Sequence, residues 1–325
     1  MKKLVLTTAL VIGTFQPLSA TDPAAQQLLL TAKQQSSLFQ DHASALQLDV
    51  DFVAQTNVPT TGHLTLKSEG GGRWWRKVVL NGFEQTEVRN GEMLYTNRNM
   101  TFTPIRVGEL ISLLQFAEGS AALVVKKQKR HVENGIRITC LQVEQANREG
   151  SAHLICLNSA SHDILTDEWQ EPPDKHCEEQ YSDYFDFRGH RYPRKLQLAV
   201  NGSVVITATV QALTATVFDE ALLIPPKGAI ERRQCHGMRN PVPIETPDPA
   251  YPSSARKNKI MGDTTVAMTV LADGSVSDIR LIGTATHSLD DATLETLKGW
   301  KFKPAMCGSE PVVSDIEVVV SFRLR

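Results

Sequence analysis

Pro249-Ala250-Tyr251-Pro252, Ala255, Gly262, Asp273-Gly274, Leu289-Asp290 and Trp300-Lys301-Phe302-Lys303-Pro304-Ala305, closing on the run Val312 to Leu324, decide how the last quarter of this 325-residue chain folds. Pro252 suits a first helical turn, and with Ala255 it starts a short helix ending near Lys259, before Gly262. Thr264 to Leu271 then alternates, with Val266, Met268 and Val270 on one face; Asp273-Gly274 turns the chain, and Val276 to Ile282 alternates back. Ser288 is placed to cap a second helix, whose Leu289, Ala292, Leu294 and Leu297 supply the apolar face and Trp300 the final anchor. The closing strand sends Ile316, Val318, Val320, Phe322 and Leu324 one way and Asp315, Glu317, Val319 and Ser321 the other. The pattern predicts two helices on a three-stranded antiparallel sheet, over residues 248–325.

Upstream, residues 227–247 read as a linker, with Gly228, Gly237, Pro241, Pro243 and Pro247 and few apolar residues. Before it, residues 21–226 are rich in strand signals. A helix is expected from Pro23 to Gln35 behind Asp22 as N-cap, and another after Pro104, where Val107, Leu110, Ile111 and Leu114 share a face. Ten strands are expected, at 46–52, 62–67, 73–80, 83–89, 92–97, 135–143, 153–157, 181–187, 192–200 and 203–213, several joined by Asn-Gly, the strongest short hairpin signal. That many consecutive antiparallel strands curve into a barrel or half-barrel, its interior either packed or enclosing a cavity. The fold class is therefore α+β: a curved antiparallel sheet with inserted helices, followed by the small module. Lys126-Lys127-Gln128-Lys129-Arg130-His131 reads as a solvated turn, and His176-Cys177-Glu178-Glu179 as a polar loop after Pro172-Pro173.

A formal net charge of −2 and the lack of any longer basic run argue against a nucleic-acid partner. No nucleophile elbow, His-Glu-x-x-His, phosphate loop or paired Cys/His spacing is present, so neither catalysis, a metal nor a cofactor is expected. Residues 1–20, with Lys2 and Lys3, an apolar run from Leu4 to Phe15 and Ala20, read as a signal peptide that places the chain in the periplasm. An uncleaved inner-membrane anchor is the alternative. Export favours disulfides. Of the five cysteines, Cys140 and Cys156 flank the turn candidate Asn147 to Gly150 symmetrically, Cys235 and Cys307 are the remaining pair, and Cys177 is left over; buried free thiols are the alternative.

The quoted C-terminal residues, Tyr251, Pro252, Ala255, Gly262, Asp273, Gly274, Leu289, Asp290, Ala292, Trp300, Phe302, Pro304, Ala305, Pro311, Val312, Phe322 and Leu324, closely resemble the TonB C-terminal domain family. The resemblance implies a periplasmic module that binds an extended segment of an outer-membrane transporter, or another envelope protein, by adding it to a sheet edge. The strand Val313 to Phe322 is the expected edge, with Val313, Asp315, Glu317, Val319 and Ser321 toward the partner; the other motif residues are expected to be structural. TonB proteins of the founding type carry a membrane helix that engages a motor complex, then a long Pro-rich spacer. Here a signal, a β-rich region and a short linker stand in their place, so binding is implied more directly than force transmission. Residues 21–225, with Gly62 and Lys67, Trp75-Arg76, the Pro104 helix, and Tyr181, Tyr184, Gly189 and Pro193, are similar in outline to LolA/LolB-like periplasmic carriers. That likeness implies an unclosed barrel with an apolar cavity for acyl chains, and a lipid or lipoprotein carrier as the alternative function.

Overall fold

A computed structural model describes residues 22–39, 45–55, 58–100, 103–118, 123–145, 148–171, 175–233 and 238–324. The expected signal at 1–20 lies outside them. Helix α1 (Pro23–Ser36) is followed by β1 (Leu46–Ala54), β2 (Thr60–Gly70), β3 (Arg73–Leu80), β4 (Phe83–Asn90), β5 (Met93–Arg98) and helix α2 (Ile105–Leu114). A second run follows: β6 (Leu123–Glu133), β7 (Ile136–Gln145), β8 (Arg148–Asn158), β9 (Ile164–Glu171), β10 (Lys175–Phe187), β11 (His190–Val200) and β12 (Ser203–Ala215). With β13 (Ile230–Arg233) these make one open antiparallel sheet in the order β13-β5-β4-β3-β2-β1-β12-β11-β10-β9-β8-β7-β6. Two meanders are thus fused where the first and last strands meet, Leu46 opposite Ala215.

The strand period explains which face closes. Leu46, Leu48, Val50, Phe52 and Ala54 of β1 are all buried, and between them Gln47, Asp49, Asp51 and Val53 stay more accessible. Leu29 and Ala32 of α1 and Val107, Leu110 and Leu113 of α2 fill the concave side, each worth about 1.5–3 kcal/mol where the side chain is large. Asp22 caps α1, accepting from the Ala24 amide at 3.0 Å. The Glu118 carboxylate accepts from Ser37 Oγ at 2.8 Å and the Leu38 amide at 2.7 Å, tying the end of α1 to the chain leaving α2. Tyr192 Oη donates to the Leu114 carbonyl at 2.7 Å and holds the end of α2 against the sheet.

Three expectations for this region are corrected. The Lys126-to-His131 run is no turn but lies within β6, the last strand of the sheet. The segment holding His176, Cys177, Glu178 and Glu179 is the start of β10, paired with β9, and Cys177 and Glu179 are buried. With β6 and β9 added, twelve strands rather than ten precede residue 216. Cys140 and Cys156 stand directly opposite on β7 and β8 and form a disulfide, although Arg148 to Gly150 belong to β8 rather than to the turn. Cys307 is disulfide-bonded, and Cys235 lies outside the described residues. Cys177 is a buried free thiol.

The segment expected to be linker carries β13, which extends the large sheet, and β14 (Val242–Glu245). The C-terminal module continues with α3 (Ser253–Lys257), β15 (Gly262–Val270), β16 (Val276–Gly283), α4 (His287–Leu297), β17 (Lys301–Lys303), β18 (Ala305–Cys307), β19 (Glu310–Val312) and β20 (Ser314–Phe322). Its main sheet is β16-β15-β20, with β14–β17 and β18–β19 as short pairs beside it. Val266, Met268, Val270, Leu297 and Phe302 form one core and Ala255, Leu289 and Phe322 a second. Thr286 rather than Ser288 stands at the N-cap of α4, and no side chain caps it there. Asp290, one turn in, accepts from the Ala285 amide at 3.0 Å and from Thr264 Oγ1 at 2.8 Å, so the Leu-Asp motif fastens α4 to β15. Gly262 is required by close approach: a Cβ there would meet Ala285 Cβ at 2.7 Å. Trp300 Nε1 donates to the Pro247 carbonyl at 3.0 Å, fixing the chain that enters the module.

Candidate functional site

A three-stranded sheet has two edges, β16 and β20, and the surroundings distinguish them. On β16, Asp278 and Ile279 together oppose Met268 of β15, a bulge that places Asp278 at φ 51°. The Asp278 carboxylate accepts from the Arg98 guanidinium at the end of β5, and both side chains are about nine-tenths buried. Arg280, two residues on, lines a cleft shared with α2. The β16 side of the module is therefore turned against the large sheet. Among the described residues β16 and β20 each pair with β15 alone, so each has one side without a strand partner, and of the two it is β16 that carries the buried ion pair to the large sheet.

On β20 the expected outward row is present, and its members differ. Asp315 accepts from Thr269 Oγ1 at 2.6 Å and from Arg232 at 3.3 Å. Ser321 donates to Asp263 at 2.6 Å, and Arg323 grips the same carboxylate at 2.7 and 2.8 Å, which holds Asp263 below the usual carboxylate range. Glu317 and Val319 are left between these two tied ends, Val319 being 62% exposed. Val313 lies just before the strand and is half-buried. Tyr251, Pro252, Gly274, Phe302 and Pro304 sit in the supporting framework: Tyr251 rings edge-on to Phe322, and Pro304 lies beside the Gly274 turn. The sequence did not mark Arg98, Arg232 or Asp278, because what ties them to a partner is the packing of distant segments.

The interior of the large sheet offers a second place where chemistry is concentrated. Two clefts, of about 330 and 300 Å³, lie beside α2 and share Ser112, Trp169 and Glu179. The first is lined by Lys33, Phe116, Glu118, His153, Asp167 and Tyr181; the second by Pro104, Ile105, Lys175, Cys177, Leu198 and Arg280 among others. Charged groups therefore face both. Burial pushes Glu179 up to about 7, against a hydrogen bond from Tyr181 that pulls it down. His153 Nδ1 is 2.9 Å from Asp167, and that hydrogen bond raises the imidazole above its ordinary value despite burial. Desolvation lowers Lys33.

A pH dependence follows, with its sign fixed by these shifts. Glu179 holds its proton in the folded state up to about pH 7 but releases it near 4.5 when unfolded, so the folded state binds more protons between those values. Stability from this group is lost as pH rises through that window. The raised His153 acts in the same direction, its contribution being present at lower pH and lost as pH rises through its folded value. The melting temperature is expected to be several degrees lower at about pH 8 than at about pH 5, and Glu179→Gln to remove most of that slope. Thermal melts across the range check it; an unchanged slope in the variant overturns the assignment.

Residues 247–324 match the family model described as Gram-negative bacterial TonB protein C-terminal. Protein TonB of Vibrio cholerae is 34% identical over 78 residues, which are 24% of this chain and 32% of that protein, so the chain spans about a third of the length of this curated relative. The solution structure of the Pseudomonas aeruginosa TonB C-terminal domain matches 27% of this chain and 96% of its own at 22% identity, with a TM-score of 0.24. A LolA superfamily protein of Nitrosomonas europaea matches 63% of this chain and 98% of its own at 13% identity, with a TM-score of 0.43. The likeness expected for the C-terminal stretch is thus found in sequence. Among the described residues no helix is long and apolar enough to cross a membrane.

Proposed function

We propose that this chain is a TonB-like envelope protein that captures an extended segment of an outer-membrane transporter, or of another envelope partner, on the open edge of β20. The observation that supports the reading is the contrast between the two edges: Asp278 of β16 is held in a buried pair with Arg98 of the large sheet, while β20 presents a nine-residue strand with Glu317 and Val319 exposed at its centre. Main-chain pairing supplies affinity in such an addition, and alternate side chains supply choice of partner. The role is binding rather than catalysis. It also favours delivery at short range, because β13 is paired to β5 and β14 to β17, leaving little of 227–247 to extend as a tether.

The test uses the full chain and synthetic peptides from the periplasmic N-terminal segments of outer-membrane transporters. Alternate residues of an edge strand turn their N–H and C=O outward, so one of Val318→Pro and Val319→Pro removes an outward donor while sparing the ladder to β15. The variant that keeps the parent melting temperature is expected to lose about tenfold or more in peptide affinity by titration calorimetry. Two folded variants that bind like the parent would sink the proposal, as would a parent chain that captures none of the peptides.

A further inference from the structure

The basic run that the sequence presents as a turn lies on an edge strand of a protruding hairpin. β6 is the last strand of the large sheet, so one side of it is unpaired, and its partner β7 pairs with β8 as far as Ile138 opposite Asn158, with a final hydrogen bond from the Ser159 amide to the Arg137 carbonyl at 2.8 Å. The last rungs, Val132 opposite Arg137 and Glu133 opposite Ile136, extend beyond that point and close through Asn134-Gly135, both at positive φ (47° and 79°). Such a two-residue turn makes a narrow, well-defined tip. Every residue from Lys129 to Arg137 is exposed, and Lys126 and Lys127 are as well.

The charge on this hairpin is one-sided. Lys126, Lys127, Lys129, Arg130 and Arg137 face a single acid of the hairpin's outer part, Glu133, on a chain whose formal net charge is −2. Lys126 reaches Glu144 at 3.7 Å, and His131 reaches Glu133 at the same distance. Lys127, Lys129, Arg130 and Arg137 have no ion pair among the described residues. The cations occupy both faces: Lys127, Lys129 and His131 share one, and Arg130 and Arg137 stand on the other. At the tip two apolar side chains are offered to solvent, Val132 at 65% and Ile136 at 45% exposure. Lysines along an edge strand discourage strand-to-strand aggregation. That role does not explain Arg137, which is on the inner strand, nor an apolar tip, which works against it.

We propose that this hairpin is a membrane-surface contact that engages anionic phospholipid, Val132 and Ile136 entering the headgroup and acyl boundary while the surrounding cations meet the phosphates. A cationic collar around an apolar point matches the order of layers met on entering a bilayer from water. Charge on both faces suits entry tip first, whereas a hairpin lying flat would need its cations on one face. The hairpin and β20 are separate surfaces, so this contact would bring the chain to a membrane while leaving the β20 edge free for its partner.

The experiment is co-sedimentation of the full chain with phosphatidylcholine vesicles, with and without phosphatidylglycerol. Binding is expected only when phosphatidylglycerol is present, and it is expected to weaken as salt rises. The triple variant Lys127→Gln, Lys129→Gln, Arg130→Gln is expected to bind about a hundredfold more weakly, near fivefold for each charge removed. Val132→Ser with Ile136→Ser is expected to weaken binding while keeping the salt dependence. Both variants change only exposed side chains, and unchanged circular dichroism and melting confirm that they fold. No binding to phosphatidylglycerol vesicles, equal binding to phosphatidylcholine alone, or a triple variant equal to the parent overturns the proposal. Binding of polyglutamate in place of vesicles overturns it as well and reassigns the hairpin to an acidic protein.

Discussion

Gly274→Ala is expected to unfold or severely loosen the C-terminal module and with it abolish capture on β20. Gly274 sits at φ 84° in the turn between β15 and β16, and a Cβ built there would lie 2.0 Å from the carbonyl oxygen of Phe302. That oxygen is main chain, and it cannot swing aside: the Phe302 amide donates back to the Gly274 carbonyl at 2.9 Å, and β17 is itself paired to β14. The turn, β17 and the Phe302 side chain in the core would have to move together. A cost of about 3 kcal/mol or more follows, at the severe end for one substitution. Gly202→Ala is the control, since Gly202 has nearly the same φ, 75°, but no atom within 4 Å of its added Cβ. It is expected to cost only about 1 kcal/mol, the strain of the backbone alone. Melts of the two variants separate crowding from conformation; equal losses would show that φ dominates at both.

The contrast between legible and illegible parts of this chain has a physical pattern. Strands β3, β11 and β12 are written in the sequence because each has one face in an apolar core, which forces alternation. β6 was missed because, beyond Val125, neither of its faces is buried, so its residues answer to solvent rather than to a core. Its only local sign was Asn134-Gly135, a hairpin signal that the neighbouring charges obscured. The first half of β10, before the expected strand at 181–187, was hidden for the opposite reason. Its first turns bury Cys177 and Glu179 side by side with accessible Glu178, and a buried carboxylate reads as surface in any polarity pattern. In the C-terminal module Gly274, Gly262 and Phe302 were legible because each answers to a local demand: a turn, a close approach, a core ring. The contact between Arg98 and Asp278 was not, because they are 180 residues apart.

Asp278→Asn tests that contact, and its expected effect is as large as that of Gly274→Ala. The substitution keeps the size of the side chain and tolerates φ 51° as aspartate does, so backbone strain is not added. What it removes is the anion facing a guanidinium that is almost wholly buried. Leaving one charge of a buried pair without its counter-charge costs about 3 kcal/mol, because the desolvation of the survivor, whose Nε still donates to the Met100 carbonyl at 3.2 Å, is less well offset. Removing the guanidinium as well, Arg98→Met with Asp278→Asn, is expected to recover part of that loss, since no buried charge is then left and Asn keeps the φ of 51° without added strain. The single variant has a second consequence, on association. Arg98 reaches β16 from the large sheet, and once that hold is weakened the outer side of β16 becomes more accessible, a second ladder on the edge of the sheet opposite β20. Asp278→Asn is therefore expected to self-associate with rising concentration in sedimentation velocity, where the parent does not. A single variant that melts and sediments like the parent would show that this pair does not hold β16 against the large sheet, and the pair would no longer distinguish the two edges.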